Sequence, residues 1–323
     1  MVKEDVDRLR ATVEHHFRDN AGSYELHASA LRVTYVLNRG GFVNHSFRVG
    51  DGRRQLHVKL ATTADARQSL RRWHELDELL QPYRAPSVLG WLDVSGASGL
   101  IFPVVAGTTP ALTGALLHAV GALLQQLWKD DALTQALPAR GGATAAHDYL
   151  DTYHARFTED LRSVRGARPG FVTQDTVNYL EEQAMLLAAQ VQGAAAFQEP
   201  LRSPVHGDLW LDNILWTDAA SWHVLDWDDV RIGDPAMDVA MLTGPSKDDV
   251  TPLKLAAEIA DILPRDARAR LPLLGQASLL DWAIDPLADW IDADAAPDHT
   301  AEVRREKEQV HRQALALYRE RYG

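Results

Sequence analysis

The stretch that most constrains this chain is "VHGDLWLDNIL", Val205 to Leu215, which sets His206, Asp208, Asp212 and Asn213 among apolar residues. A second apolar run follows and ends in "VLDWDD", with Asp226 directly after Leu225. Carboxylates and carboxamides placed beside buried strands carry a desolvation cost unless hydrogen bonds or bound ions offset it. A fold that accepts this must present those groups to a cleft while the apolar residues pack behind them.

The spacing fits one chemistry. Asp208 and Asn213 form D-x-x-x-x-N. In phosphoryl transfer, an aspartate orients the acceptor hydroxyl and takes its proton. An asparagine and a second aspartate supply hard oxygens to Mg2+. These roles fall to Asp208, Asn213 and Asp226. Asp and Asn also make ordinary turns, but the flanking strands and the following Leu-Asp-Trp favour the catalytic reading. His206 suits structural hydrogen bonding. Asp234, before Pro235, suits a helix cap, and Asp238 suits bracing of the catalytic loop.

Upstream, "LRVTYVL", "HSFRVG" and "QLHVKLA" read as three antiparallel strands, with turn signals at "NRGG" and Asp51-Gly52. A helix at Asp65–Leu80 and two more strands, "SVLGWLDV" and "GLIFPVV", complete the first hundred residues. Lys59 lies on the third strand and fits the lysine that steadies donor phosphates. Its expected partner is a glutamate on the next helix, Glu75 or Glu78, with Glu75 preferred. Gly40, Gly41 and Asn44 lie where a phosphate-cradling loop belongs. From Pro110 onward the periodicity is mostly helical: Ala111–Leu137, Ala145–Val164, Phe171–Gln192, and again from Ala236 to the end. These patterns predict an α+β fold of two lobes, residues 1–103 and 104–323, with a cleft between them.

Composition narrows the function further. The chain has 323 residues, a formal net charge of -12 and no cysteine. Disulfides, thiolate metal sites and a cysteine nucleophile are excluded, and a nucleic-acid partner is disfavoured. No apolar run reaches membrane-spanning length, so a cytoplasmic protein without a membrane partner is expected. Leu271–Val303 lacks Lys and Arg but holds Asp281, Asp285, Asp289 and Asp292 near one helical face, with Trp282 and Trp290 interleaved. Such a segment is either a solvated acidic helix or a carboxylate-lined pocket for a cation. Asp285-Pro286 predicts a break within it.

Together, "HGDLWLDNIL" and "VLDWDDVRIGDPAMDVA" resemble the signature pair of the aminoglycoside phosphotransferase (APH) family, small-molecule kinases with a protein-kinase-like fold. "GGFVNHSFRV" resembles that family's nucleotide loop and "LHVKLA" its lysine strand. The resemblance implies ATP or GTP as phosphate donor, with Mg2+. It implies a hinge at Phe102–Gly107 whose backbone, around Phe102 and Val104, meets the purine. It also matches Asp208 to the catalytic aspartate, Asn213 and Asp226 to the metal ligands, and Lys59 to the phosphate-binding lysine. A cationic aminoglycoside-like acceptor is expected, with Asp281, Asp285 and Trp282 as substrate residues. Choline, homoserine and fructosamine kinases are the alternatives. "HGDLW" resembles the fructosamine kinases, but Leu211-Asp212-Asn213 stands where they carry Ser-Gly-Asn. A non-catalytic nucleotide-binding module is disfavoured by the intact set of four residues. A protein kinase is disfavoured by the absence of D-F-G and A-P-E after Asn213.

Overall fold

A computed structural model describes residues 3–37, 44–94, 96–111, 113–217, 221–245, 261–295 and 299–323. The N-terminal lobe begins with helix α1 (Lys3–Asp19). Five strands follow: β1 (Arg32–Val36), β2 (Asn44–Gly50), β3 (Gln55–Ala61), β4 (Gly90–Val94) and β5 (Ala97–Pro103). They form one antiparallel sheet in the order β1-β2-β3-β5-β4. Alternation along β3 divides its side chains between two faces. Leu56, Val58 and Leu60 pack with Val13 and Phe17 of α1 and with Phe47 and Ile101. His57, Lys59 and Ala61 take the other face, towards helix α2 (Ala64–Glu75) and the C-terminal lobe. Helix α3 (Asp77–Leu80) then leads into β4.

Gly99 is required where β5 meets β3. A Cβ there would lie 1.9 Å from the Lys59 carbonyl oxygen. The missing side chain lets the two strands pair directly behind the lysine.

The C-terminal lobe holds α4 (Gly114–Leu127), α5 (Asp131–Ala136), α6 (Ala145–Tyr149), α7 (Ala155–Gly166), α8 (Gln174–Gly193) and α9 (Pro235–Leu242). It continues with α10 (Arg265–Arg268), α11 (Leu271–Asp292) and α12 (Thr300–Tyr322). Two small antiparallel pairs, β6 (Ser203–Val205) with β9 (Arg231–Gly233) and β7 (Ile214–Trp216) with β8 (Trp222–Val224), carry the signature motifs. No described helix is long and apolar enough to cross a membrane.

The helical expectations hold in outline and differ in detail. Ala111–Leu137 is two helices, because the Asp130 side chain accepts the Leu133 N–H at 2.8 Å and starts a second one. Ala145–Val164 is α6 and α7 joined by a π turn, Leu150–His154. α11 runs unbroken through Pro286. An interior proline costs about 3 kcal/mol of helix stability. Here Leu274, Leu280, Ile284 and Leu287 are all fully buried, and their packing holds the helix together across the missing amide.

Candidate active site

The loop that carries His206 to Asn213 hangs between β6 and β7 and is fastened from below. Asp238, fully buried on α9, accepts the N–H groups of His206 at 3.1 Å and Gly207 at 3.0 Å, and the Trp128 indole at 3.3 Å. Asp238 therefore braces the loop, as its position suggests. His206 Nε2 donates to the Leu225 carbonyl at 2.8 Å and Nδ1 accepts the Asp208 N–H at 3.2 Å. Burial holds this imidazole below its ordinary pKa, so it is a neutral structural link. Gly207 has φ +89°, and a Cβ there would lie 2.0 Å from the Arg231 guanidinium and 2.4 Å from the Asp229 carbonyl. Asp234 caps α9, accepting the Ala236 N–H at 3.0 Å, and binds Arg270 through both oxygens at 2.7 Å each.

This bracing aims Asp208 into the cleft. The Asn213 amide donates to the Asp208 carbonyl at 2.8 Å and to its Oδ2 at 3.1 Å. Burial, with Asp229 and Asp226 adding to it, pushes the Asp208 carboxyl up to about 7. Asn213 and Asp226 are neighbours, because the Leu225 N–H donates to the Asn213 carbonyl at 2.7 Å. Asp226 adopts the left-handed conformation, φ 65°, which is uncommon for a residue with a Cβ and clusters at functional sites. The Asn213 amide nitrogen is occupied, so its Oδ1 is left for a cation, and Asp226 adds a carboxylate. One or two hard oxygens beside donor phosphates and water suit Mg2+. Lys59 is nine-tenths buried and donates to Asp226, and to Asp228 Oδ2 at 2.9 Å.

Asp208, Asn213, Asp226 and Lys59 all line one cavity of about 790 Å³, which also takes in Asn44, Trp210 and the α11 residues Asp281, Trp282, Asp285, Asp289 and Asp292. A sequence profile of the phosphotransferase enzyme family (APH) matches residues 34–274. The chain belongs to that family. It is therefore a phosphotransferase acting on an alcohol group. Solved structures share the fold at low identity. The choline kinase from Cryptosporidium parvum Iowa II is 14% identical, with TM-score 0.62 and 95% of each chain covered. The GDP and kanamycin complex of APH(2")-IIia is 14% identical, with TM-score 0.58, covering 88% of this chain and 93% of that one. The apo form of a thermostable mutant of aminoglycoside phosphotransferase APH(4)-Ia is 18% identical, with TM-score 0.57, covering 87% of this chain and 94% of that one. No curated protein matches this phosphotransferase by sequence.

Not every sequence expectation is met. Glu75 does not pair with Lys59. It is exposed at the C-terminal end of α2. The face of α2 that meets the lysine is set by Trp73, whose ring centre is 5.9 Å from Lys59 Nζ. Two residues further on, the helix has turned by about 200°, so Glu75 points away. Glu78 is exposed as well. Gly40 and Gly41 lie outside the described residues. Phe102 is a buried ring, 4.8 Å from Trp73 and 6.4 Å from His57 between centroids. The Val104 N–H donates to the Gln55 carbonyl at 3.2 Å, which removes it from the donors a purine could use.

The acidic segment of α11 is no solvated face. Asp281 and Asp289 are buried, and all four of its aspartates line the cavity. Arg156 of α7 binds Asp281 at 2.5 Å, and Lys307 of α12 binds Asp289. Sequence reading missed Arg156 and Asp160 of α7, because the Arg156–Asp281 contact spans 125 residues and leaves no local pattern. One Asp160 oxygen is buried with no partner among the described residues. Burial, then the nearby Asp285, pushes that carboxyl up to about 8.

Proposed function

We propose that this phosphotransferase moves the γ-phosphate of ATP or GTP to a hydroxyl of a small cationic molecule. The hinge between the lobes is Phe102–Gly107, and the donor lies beneath β3 and β5. Asp208 takes the acceptor's proton. Asn213 holds one of its oxygens, which leaves Oδ1 for the hydroxyl, and a carboxyl near 7 is well matched to general-base work at neutral pH. Lys59 steadies the donor phosphates, with Asn44 beside it. Asn213 and Asp226 would hold Mg2+, which when bound neutralises charge on the transferring phosphate. The protein's own contribution is mainly alignment and preorganised charge.

The cavity lining carries the acceptor proposal. Beyond the catalytic carboxylates it presents Asp160, Asp281, Asp285, Asp289 and Asp292, against only Lys59, Arg156 and Lys307 among the described residues. Trp210 and Trp282 meet edge to face at 5.9 Å and form an aromatic wall. Carboxylates with aromatic rings select ammonium groups. Kanamycin, bound in APH(2")-IIia, and choline, the substrate class of the kinase neighbour, are both cations with hydroxyls. Homoserine and fructosamines are the weaker alternatives.

Turnover with Mg2+ and ATP or GTP, measured over a panel of aminoglycosides, choline, homoserine and fructosamines, tests the proposal. We expect acceptor-dependent turnover with the cations, falling about 10²- to 10⁴-fold in Asp208→Asn. A folded protein that binds no nucleotide would sink it.

A further inference from the structure

We infer that Asp228 is the positioning residue for Lys59, doing from the strand-end turn what a helix carboxylate would otherwise do. The inference rests on the kinase reading above and deepens it. A buried ammonium needs a fixed anion to keep its direction, since lysine is a flexible point charge. α2 offers none: its face toward Lys59 carries Ala66, Ser69 and Trp73, and its one nearby acid, Asp65, sits in the first turn.

The turn after β8 fills that role. Asp226 in its left-handed conformation leads into a tight turn, Trp227–Asp229. Asp226 and Asp228 thereby converge on the same ammonium, with Asp228 Oδ2 at 2.9 Å. The turn is rigid at its centre. Trp227 is fully buried, its indole donates to the Val224 carbonyl at 2.8 Å, and its ring lies 4.6 Å from His206. Asp228 Oδ2 also accepts the Asn44 amide at 3.2 Å. One carboxylate thus ties the start of β2 to the lysine strand and to the catalytic turn. The two aspartates differ in duty. Asp226 is the proposed metal ligand, so its hold on Lys59 has a competitor. Asp228 keeps the lysine aimed when Asp226 is otherwise engaged.

A double-mutant cycle on Lys59→Ala and Asp228→Asn tests this, read by calorimetric binding of ATP and GTP with Mg2+ and no acceptor. Each single change is expected to weaken binding about tenfold, and the pair no more than the worse single, since both remove one interaction. Ser69 lies one turn before Trp73 on the same face of α2. Ser69→Glu placed on Asp228→Asn is therefore expected to recover at least about threefold. Losses that multiply, to about a hundredfold in the double variant, would overturn the inference. So would a failure of Ser69→Glu to recover binding in a variant whose melting temperature matches the parent. If the unmodified protein binds neither nucleotide, the kinase reading itself fails and takes this inference with it.

Discussion

Asp148 and Asp160 lie on one helical run, in α6 and α7, and meet opposite fates. Asp148 is fully buried. It accepts Arg140 at 2.6 Å, Arg231 at 3.0 Å and the Asp234 N–H at 2.8 Å. Burial works to raise its carboxyl, but Arg231, that amide and Arg140 outweigh it and hold the group below its ordinary range. Asp160 is less buried, yet burial, and then Asp285 beside it, pushes its carboxyl up to about 8 because too little opposes them. The supply of donors, more than depth, decides which carboxylate is structural and which is left waiting for a ligand. The braces under the His206–Asn213 loop belong to the first kind, and the proposed acceptor cavity to the second.

The sharpest way to break this comparison is to remove the first kind. Asp148→Ala leaves Arg140 and Arg231 without their shared anion and should destabilise the fold by about 3–5 kcal/mol. Denaturant titration reads this, and a loss under about 1 kcal/mol would erase the distinction. The sign with pH follows. A carboxyl held low contributes stability at pH above its unfolded value, near 3.8. That contribution is lost as pH falls through the folded value.

Asp160→Asn should do the reverse. Stability should change by no more than about 0.5 kcal/mol, while affinity for a quaternary ammonium such as choline falls about fivefold at pH 9. Equal damage to stability would place Asp160 among the braces. The smallest expected effect is the pH profile of that binding. A quaternary probe does not titrate, so its affinity should rise as Asp160 loses its proton through about pH 8. Asp281, Asp285, Asp289, Arg156 and Lys307 share the cavity. Burial pushes Asp281 to about 6 and Asp289 and Asp208 to about 7, so their midpoints lie below that of Asp160. In Asp160→Asn the step near pH 8 should vanish. A step that persists would assign it to another group.

Chemistry held within a few consecutive residues was legible in the sequence. Asp208, Asn213 and Asp226 announce themselves by spacing, and Lys59 by its place on a strand. The N-terminal strand pattern, the β7–β8 hairpin and the Asp234 cap follow from local rules as well. Partners contributed by distant segments were not legible. Nothing near Lys59 points to Asp228, which is 169 residues away. Glu75 was chosen for its residue type. The helical spacing of Leu70, Trp73, Leu76 and Leu80 already marks the inward face, and that spacing turns Glu75 away from it. The α11 acids read more readily as a solvated face, because the partners of Asp281 and Asp289 come from the distant helices α7 and α12. Pro286 weighed as a helix breaker because its neighbours' burial could not be counted.

The Trp210–Trp282 pair has an optical consequence. One indole sits two residues from Asp208 and the other next to Asp281, one on the loop after β6 and one on α11, with their ring centres 5.9 Å apart. The protein has nine tryptophans, but these two border the space an acceptor would fill. Indoles this close are expected to couple in the near ultraviolet, which would make the cleft its own reporter. A cation entering between lobe and loop would change the emission and the circular dichroism of this pair without any attached dye. Phe substitution at either position would identify the signal.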